Sequence, residues 1–244
     1  MKRLISAAVL ALSLVACASA PPARAANPAD PWESMNRSVD QFNNAVDGAV
    51  LKPVATAYKE SVPRLVQRGV SNFFGNLQDM WSVVNCALQL KGRAASENLM
   101  RVSVNTVMGL GGLLDIASEM QIERTTKDFG TTLGVWGVGN GPYVVLPLLG
   151  PSTLRDTVAL PVDFKGDPVA QSTDIPARNT LVVTRVVNQR AALLKAETVL
   201  DEVALDKYAF IRDAYLQQRR NTLYDGNPPD EDVDSNPDAD PPAR

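Results

Sequence analysis

The sequence contains no histidine, and only two of its 244 residues are cysteines, Cys17 and Cys86. Without histidine a Ser-His-Asp triad is impossible, and the commonest general base and the commonest neutral metal ligand are both missing. We therefore expect a protein that is not an enzyme and that has neither a cofactor nor a bound metal. Because Cys86 lies among Val83, Val84 and Leu88, we expect its side chain to be a small buried apolar group.

The chain also lacks an excess of basic residues. It carries 24 Lys and Arg against 27 Asp and Glu, which gives a net charge of −3 at pH 7. Residues 225–244 hold seven acids and one base, so the rest of the chain is close to neutral. Nucleic-acid binding needs a basic field, and we expect no such partner. Since the acidic tail is also rich in Pro and Asn, we expect it to be disordered.

An apolar run near the N-terminus follows two basic residues, but about a dozen residues are too few to span roughly 30 Å of hydrocarbon. The run ends at Leu14-Val15-Ala16-Cys17, which is the organisation of a signal peptide. This motif resembles a bacterial lipobox, in which the thiol receives diacylglycerol and the signal is cut before it. We expect residues 1–16 to be a lipoprotein signal peptide and Cys17 to be the lipid anchor. An ordinary secretory signal, cut after Ala25, is the alternative.

Residues 17–29 are rich in Ala and Pro, and we expect an acylated N-terminus followed by a flexible tether. Each buried methylene contributes about 0.8 kcal/mol, so several acyl chains hold a protein at a membrane almost irreversibly. No aspartate follows the anchoring cysteine, and in enterobacteria-like sorting this favours release to the outer membrane. The expected location is therefore the cell outer membrane, with the anchor on its periplasmic side.

Helical periodicity dominates residues 30–224, and no alternating strand pattern recurs, so the predicted fold is one all-α domain. Asp30 is predicted to be the N-cap of the first helix, with Glu33 completing a capping box. Pro53 is expected to interrupt this helix, and Gly92 to follow the end of another over residues 72–91. The apolar stripe of that second helix is predicted to contain Phe73, Leu77, Trp81, Val84 and Leu88.

One stretch does not fit an ordinary helical bundle, because residues 134–150 contain five glycines, two prolines and no charge. A dinucleotide-binding fingerprint would need a different glycine spacing and a strand followed by a helix. Two interpretations stay open. The stretch is either a loop packed on the core or a segment in lipid that surrounding helices shelter, since unpaired backbone is costly in hydrocarbon.

Several motifs resemble those of the VacJ/MlaA lipoproteins. They are Asp30–Arg37, Leu51–Ala55, Gly69–Leu77, Asn105–Gly112, Asp128–Gly134, Gly137–Tyr143, Leu146-Pro147 and Gly150–Asp156. The resemblance implies a ring-like helical domain embedded in the inner leaflet of the outer membrane, with an amphipathic central channel. It also implies a protein that removes mislocalised phospholipid from the outer leaflet and passes it to a periplasmic carrier of the MlaC type. Trimeric outer-membrane porins are the implied partners.

A charged lipid head group crosses an apolar zone only at high cost, so uncharged polar groups and accessible backbone are expected along its path. On this argument the predicted lining residues are Asn43, Asn44, Asn140, Gly141 and Tyr143. The alternative for each is a local role in a turn, a cap or the core.

Arg155 and Asp156 are predicted to form a structural ion pair rather than a phosphate site. The competing function for the whole chain is a scaffolding envelope lipoprotein without a lipid path. A hydrolase ranks third, because its base would have to be a carboxylate or a lysine.

Overall fold

The structure is a computed structural model that describes residues 27–229. The predicted signal peptide, the anchor Cys17 and the acidic tail beyond position 229 lie outside these described residues. The chain between them is mostly helical, as predicted. Its elements are α1 (Glu33–Val46), a π-helical segment (Asp47–Leu51), α2 (Lys52–Ser61), α3 (Arg64–Leu88), α4 (Gly92–Val107), α5 (Ile116–Glu119), α6 (Phe129–Val135), β1 (Tyr143–Leu146), β2 (Gly150–Thr153), α7 (Leu154–Gly166), α8 (Ile175–Val203) and α9 (Lys207–Leu223).

The start of α1 differs from the prediction. The N-cap residue is Trp32, which makes no side-chain capping bond. Asp30 is instead buried, and its two carboxylate oxygens accept hydrogen bonds from Asn36 Nδ2 at 2.8 Å and from the Tyr208 hydroxyl at 2.6 Å. The predicted cap is therefore wrong, because partners within α1 and on the distant α9 bind the carboxylate that would have capped the helix.

The π-helical segment joins α1 directly to α2, so Pro53 does not separate two independent helices. Pro53 lies within the first two positions of α2, where its missing N–H leaves no intrahelical hydrogen bond unmade. Asp47, the first residue of the π-helical segment, forms an ion pair with Arg190 of α8 at 2.6 Å. This contact fixes the junction against the longest helix of the described chain.

The turn between α3 and α4 is made without glycine. Leu90 adopts a left-handed φ of 57° and is almost fully exposed, whereas Gly92 is the first residue of α4. The prediction that Gly92 ends the preceding helix is therefore wrong. The amide of Lys91 donates to the Cys86 carbonyl at 2.9 Å and closes the turn. Cys86 itself is fully buried, as predicted.

The segment rich in glycine and proline forms a β-hairpin, the one departure from helix in the predicted class. Tyr143 lies opposite Thr153 and Leu146 lies opposite Gly150 in an antiparallel register. Strands of four residues are too short for their alternation to stand out in a sequence. α1 packs along β1, while α9 contacts β2, so the hairpin is held between the first and last helices of the described chain.

Among the residues that the structure describes, polar side chains predominate in the interior and many apolar side chains are exposed, which is the opposite of the usual distribution. Among the described residues, nineteen polar or charged residues are buried but only eleven hydrophobic ones are, and 38 large hydrophobic side chains are exposed. Interiors of water-soluble domains are dominated by apolar residues, and extended exposed apolar surface marks contact with other proteins or with lipid. Between positions 27 and 229, no helix has both the length and the apolar character needed to cross a bilayer.

Candidate functional site

A cavity of about 620 Å³ lies between α3, α7 and α8. Its wall combines apolar and ionisable side chains. The apolar ones include Phe74, Leu77, Trp81, Leu160, Phe164 and Val186, and the ionisable ones are Arg124, Lys127, Asp128, Asp163, Asp167 and Arg185. A site that is apolar and charged at once is suited to an amphiphile, since each part of such a ligand finds a matching wall.

The three helices present these residues at helical spacing. α3 contributes Phe74, Leu77, Gln78 and Trp81; Leu77 and Gln78 each lie three or four residues from Phe74 and from Trp81, so the four share a face. Of the stripe that the sequence predicted to be apolar, only Leu77 and Trp81 line the cavity. Val84 and Leu88 are exposed, so the predicted stripe does not act as a single face.

A second, smaller cavity of about 250 Å³ lies next to the first, between the hairpin, α7 and α9. The two cavities share four lining residues, which are Asp128, Leu160, Asp163 and Phe164. Most of this common wall comes from α7. The two cavities therefore adjoin along α7, one facing α3 and α8 and the other facing the hairpin.

Trp81 is fixed in the wall by contacts on two sides. Its indole Nε1 donates a hydrogen bond to Asp163 Oδ1 at 2.7 Å. Its ring lies against the backbone of Gly166, where an added Cβ would come within 2.3 Å of ring atoms. Only glycine permits this approach, so the last residue of α7 determines where the indole lies.

Asp163 accepts a second hydrogen bond, from the backbone amide of Phe129 at 2.8 Å. Both donors are neutral and both bonds end on Oδ1. Within residues 27–229, no lysine or arginine forms an ion pair with this carboxylate, and no donor reaches its Oδ2. Burial raises the pKa of Asp163, and the Trp81 and Phe129 bonds oppose that effect. The charge of Asp128 also raises this pKa, and the charge of Arg219 lowers it.

The other two carboxylates of the larger cavity each have a cationic partner. Asp128 binds Arg219 at 2.6 Å, and Asp167 binds Arg185 at 2.7 Å. Burial by itself would raise the pKa of Asp128, but hydrogen bonds and charge from Arg219, together with the capping bond from Thr131, lower it overall. Asp128 also caps α6, so its place in the wall is set by secondary structure as well as by charge.

Arg124 brings a cation to the same wall. Its Nε donates to Asp79 at 2.7 Å, and its guanidinium group lies over Gly75, where a Cβ would come within 2.5 Å of it. The terminal amino groups make no hydrogen bond to any residue that the structure describes. Because Arg101 approaches the other oxygen of Asp79 at 3.6 Å, this carboxylate is shared and Arg124 keeps donors to spare.

Lys127 connects the cavity wall to the C-terminal end of α9 and to the residues that follow it. Its Nζ contacts the Thr222 carbonyl and forms an ion pair with Asp225 at 2.7 Å. Burial lowers the pKa of Lys127, against the opposing effect of Asp225. Asp225 also pairs with Lys91. The first residue of the predicted acidic tail is therefore held against the helical body.

Two of the predicted lining residues lie near the end of α1. Asn43 holds the hairpin turn, since its Nδ2 donates to the Leu146 carbonyl at 2.9 Å and its Oδ1 accepts from the Leu148 amide at 2.8 Å. Asn44 is exposed, and it donates to the carboxylate of Asp40 at 2.9 Å.

The other three lie on the chain that enters the hairpin. Gly141 has a φ of +63°, and a Cβ added to it would approach Leu154 Cβ at 3.1 Å. Tyr143 is 1% exposed and packs edge-on against two tyrosines of α9. Asn140 is half-buried. None of the five predicted residues lines either cavity described above, and a role of these five in a lipid path stays a prediction.

The predicted pairing of Arg155 with Asp156 is confirmed, because Arg155 Nε donates to Asp156 Oδ1 at 3.0 Å. Sequence reasoning missed Asp163 and Arg185. The signal for Asp163 was a lone acid within an apolar segment, Ala159–Phe164, and Arg185 gave no comparable sign. In the part of the chain that the structure describes, no group of three or more acidic residues or cysteines could hold a metal ion.

Comparison with known proteins places these features in a family. Residues 28–222 match the profile of the MlaA lipoprotein. The "Intermembrane phospholipid transport system lipoprotein MlaA" of Escherichia coli (strain K12) is 36% identical over 223 residues, which cover 89% of this chain and 88% of that protein. The protein of the same name from Haemophilus influenzae is 31% identical over 231 residues, or 92% of each chain.

A solved structure described as "Structural basis for maintenance of bacterial outer membrane lipid asymmetry" superimposes with a TM-score of 0.69 at 34% identity. It covers 80% of this chain and 98% of the solved chain. At this identity and coverage the two chains share the same overall fold.

Proposed function

The chain belongs to the MlaA lipoprotein family, and from this premise we propose that it removes mislocalised phospholipid from the outer leaflet of the outer membrane. The curated relatives carry the name of an intermembrane phospholipid transport system. The family resemblance read from the sequence motifs is thereby confirmed. In the proposed role the protein maintains the lipid asymmetry of the outer membrane and acts as a transport component rather than an enzyme.

The observation that carries this proposal is the mixed wall of the large cavity. A phospholipid has a charged head and apolar chains, and moving the head through hydrocarbon costs several kcal/mol without a polar path. Arg124 and Arg185 offer the head group charge, while Phe74, Leu77 and Phe164 offer the chains apolar contact. The charged and the apolar surfaces lie within one cavity, so the head group and the acyl chains are contacted at the same time.

The reversed distribution of side chains supports a position in lipid. In this proposal the exposed apolar residues contact acyl chains, and the buried polar groups satisfy one another inside the domain. The domain of residues 30–224 lies in the inner leaflet of the outer membrane, where the acylated Cys17 holds it through the tether of residues 17–29. Residues 1–16 are removed as the signal peptide.

The partners in this proposal are those that the family resemblance implies. Phospholipid is the cargo, and a soluble periplasmic carrier of the MlaC type receives it. A trimeric outer-membrane porin is the partner within the membrane. The energy for transport comes from elsewhere in the pathway, in keeping with the lack of a nucleotide-binding motif in the sequence.

The proposal is tested by narrowing the cavity. Ala192 of α8 lines it, whereas the next residue, Leu193, is 58% exposed and does not. We expect Ala192→Trp to block lipid passage because a large ring would fill space that the cargo needs. The measurement is the phospholipid content of the outer leaflet in cells whose own copy is replaced, together with their detergent sensitivity.

Leu193→Trp is the matched control, since it adds a large ring to the same helix outside the cavity. Equal outer-leaflet phospholipid in cells with the Ala192→Trp protein and in wild-type cells, at equal protein level, would contradict the proposal. Lipid extraction from the detergent-purified protein separates transport from scaffolding, because a scaffold without a lipid path would yield no bound phospholipid.

A further inference from the structure

One charged group of the large cavity forms no ion pair with any residue that the structure describes, although the charge of Arg219 acts on it from beyond ion-pair distance. Asp128 and Asp167 are each neutralised by an arginine, and all three basic side chains of the wall are held by carboxylates. Asp163 alone among the acidic lining residues has only neutral donors, and both bind the same oxygen. Its second oxygen is therefore an acceptor without a donor in the described protein.

A buried or half-buried carboxylate is costly when no charge balances it. Proteins usually avoid this cost by placing a lysine or an arginine nearby, as happens at Asp128 and Asp167. Asp163 is instead held in place by two hydrogen bonds, one from the Phe129 amide and one from the indole of Trp81. The position of Trp81 in turn depends on Gly166. An arrangement that fixes a carboxylate but gives it no ion pair fits a site where the ligand brings the cation.

We propose that Asp163 binds the primary ammonium group of an amine-bearing phospholipid head group, and that the protein therefore prefers such lipids over anionic ones. This inference rests on the proposed transport function. A primary ammonium carries three N–H donors and can donate to the free Oδ2. The indole Nε1 of Trp81 donates to Oδ1 of the same carboxylate and leaves Oδ2 open to that contact.

The basic residues of the cavity complete the match to a zwitterionic head group. Arg124 retains terminal amino groups that bind no described residue, and a guanidinium group pairs well with a phosphate. Arg185 uses one amino group for Asp167 and lies 5.9 Å above the Phe74 ring. A cavity with a carboxylate that has no ion pair and with spare arginine donors offers a contact to each charge of an ethanolamine phosphate.

The test compares head groups on the full-length, detergent-purified protein. The protein is equilibrated with mixed micelles that contain equal amounts of phosphatidylethanolamine and phosphatidylglycerol, repurified, and its bound lipid is identified by mass spectrometry. We expect wild-type protein to be enriched in phosphatidylethanolamine. Asp163→Asn keeps an acceptor for Trp81 but removes the charge, and we expect it to lower the enrichment about fivefold, the effect of one ion pair of about 1 kcal/mol.

Glu60→Gln is the control, because it removes the same charge from an exposed residue of α2 that lines neither cavity. An unchanged lipid ratio in Asp163→Asn, or an equal change in Glu60→Gln, overturns the inference while total bound lipid still supports transport. If wild-type protein binds no lipid at all, the proposed function fails instead.

A second measurement needs no variant. Wild-type protein is offered phosphatidylethanolamine and its N-acetyl derivative, which keeps the phosphate and the acyl chains but lacks the ammonium. We expect several times more of the free amine to be bound. Equal binding of the two lipids would overturn the inference, even if Asp163→Asn could not be purified.

Discussion

The contact between Gly166 and Trp81 makes a sharp prediction about the cavity wall. Gly166→Ala would place a Cβ 2.3 Å from the indole ring, although carbon atoms in ordinary contact lie about 3.5–4.0 Å apart. The indole must therefore move by more than 1 Å, and its 2.7 Å hydrogen bond to Asp163 would lengthen beyond useful range.

The expected loss of stability follows from these two effects. Overpacking of a fitted contact costs about 1–3 kcal/mol, and a hydrogen bond to a charged group contributes about 1.5–3 kcal/mol. Because the shifted ring recovers part of its packing, we expect a net loss of about 2–4 kcal/mol, which lowers the melting temperature by roughly 5–10 °C.

The assay follows Trp81 itself. Trp32 and Trp136 are both exposed and are replaced by phenylalanine, so that Trp81 is the sole tryptophan emitter. Thermal unfolding in detergent then gives the stability, and the emission maximum reports the displacement of the indole. Gly92→Ala is the control, since nothing lies within 4 Å of an added Cβ there. A Gly166→Ala protein with unchanged stability and unchanged emission would refute the reasoning.

Two further predictions concern the hairpin and acid stability. Asn43→Ala removes both bonds to the hairpin turn, so we expect hydrogen exchange of the Leu148 amide to speed up about fivefold or more, as the loss of about 1–3 kcal/mol requires; an unchanged rate would contradict this. Arg219 and Thr131 lower the pKa of Asp128 below its ordinary 3.8 against the effect of burial. The ionised carboxylate therefore stabilises the fold fully above about pH 4, and this contribution to stability is lost as the pH falls through the lowered pKa. Asp128→Asn should therefore be less stable at pH 7 and should lose less stability on acidification, as measured by denaturant unfolding between pH 7 and pH 3; parallel pH profiles for the two proteins would be the opposing result.

Much of the fold could be predicted from the sequence because helical periodicity is a local property. The helical segments, the burial of Cys86 and the pairing of Arg155 with Asp156 all depend on neighbours along the chain. The family resemblance was also readable, since its motifs are long and keep their order.

The candidate site was harder to predict, because the same residue types serve several purposes. Asn43 and Tyr143 were chosen as polar or amphipathic groups in a lipid path, but the structure gives them partners in the hairpin and in α9. Asp163 was not chosen, since one acid in an apolar segment has no distinctive pattern. Asp163 stands out because only neutral groups donate hydrogen bonds to it. Which groups surround it depends on how α3, α6 and α7 pack together, and the local sequence does not show this.

The sequence by itself determined the helical class, the order of the motifs and the expectation of a lipid-anchored envelope protein, because these depend on residue type and on spacing along the chain. Only the tertiary structure decided that Asp30 binds α9 rather than capping α1, that Leu90 rather than Gly92 makes a turn, and that Leu77 and Trp81 of α3 face a cavity. Each of these outcomes depends on which groups from distant parts of the chain come within a few ångströms of each other, and a local sequence pattern does not determine such contacts.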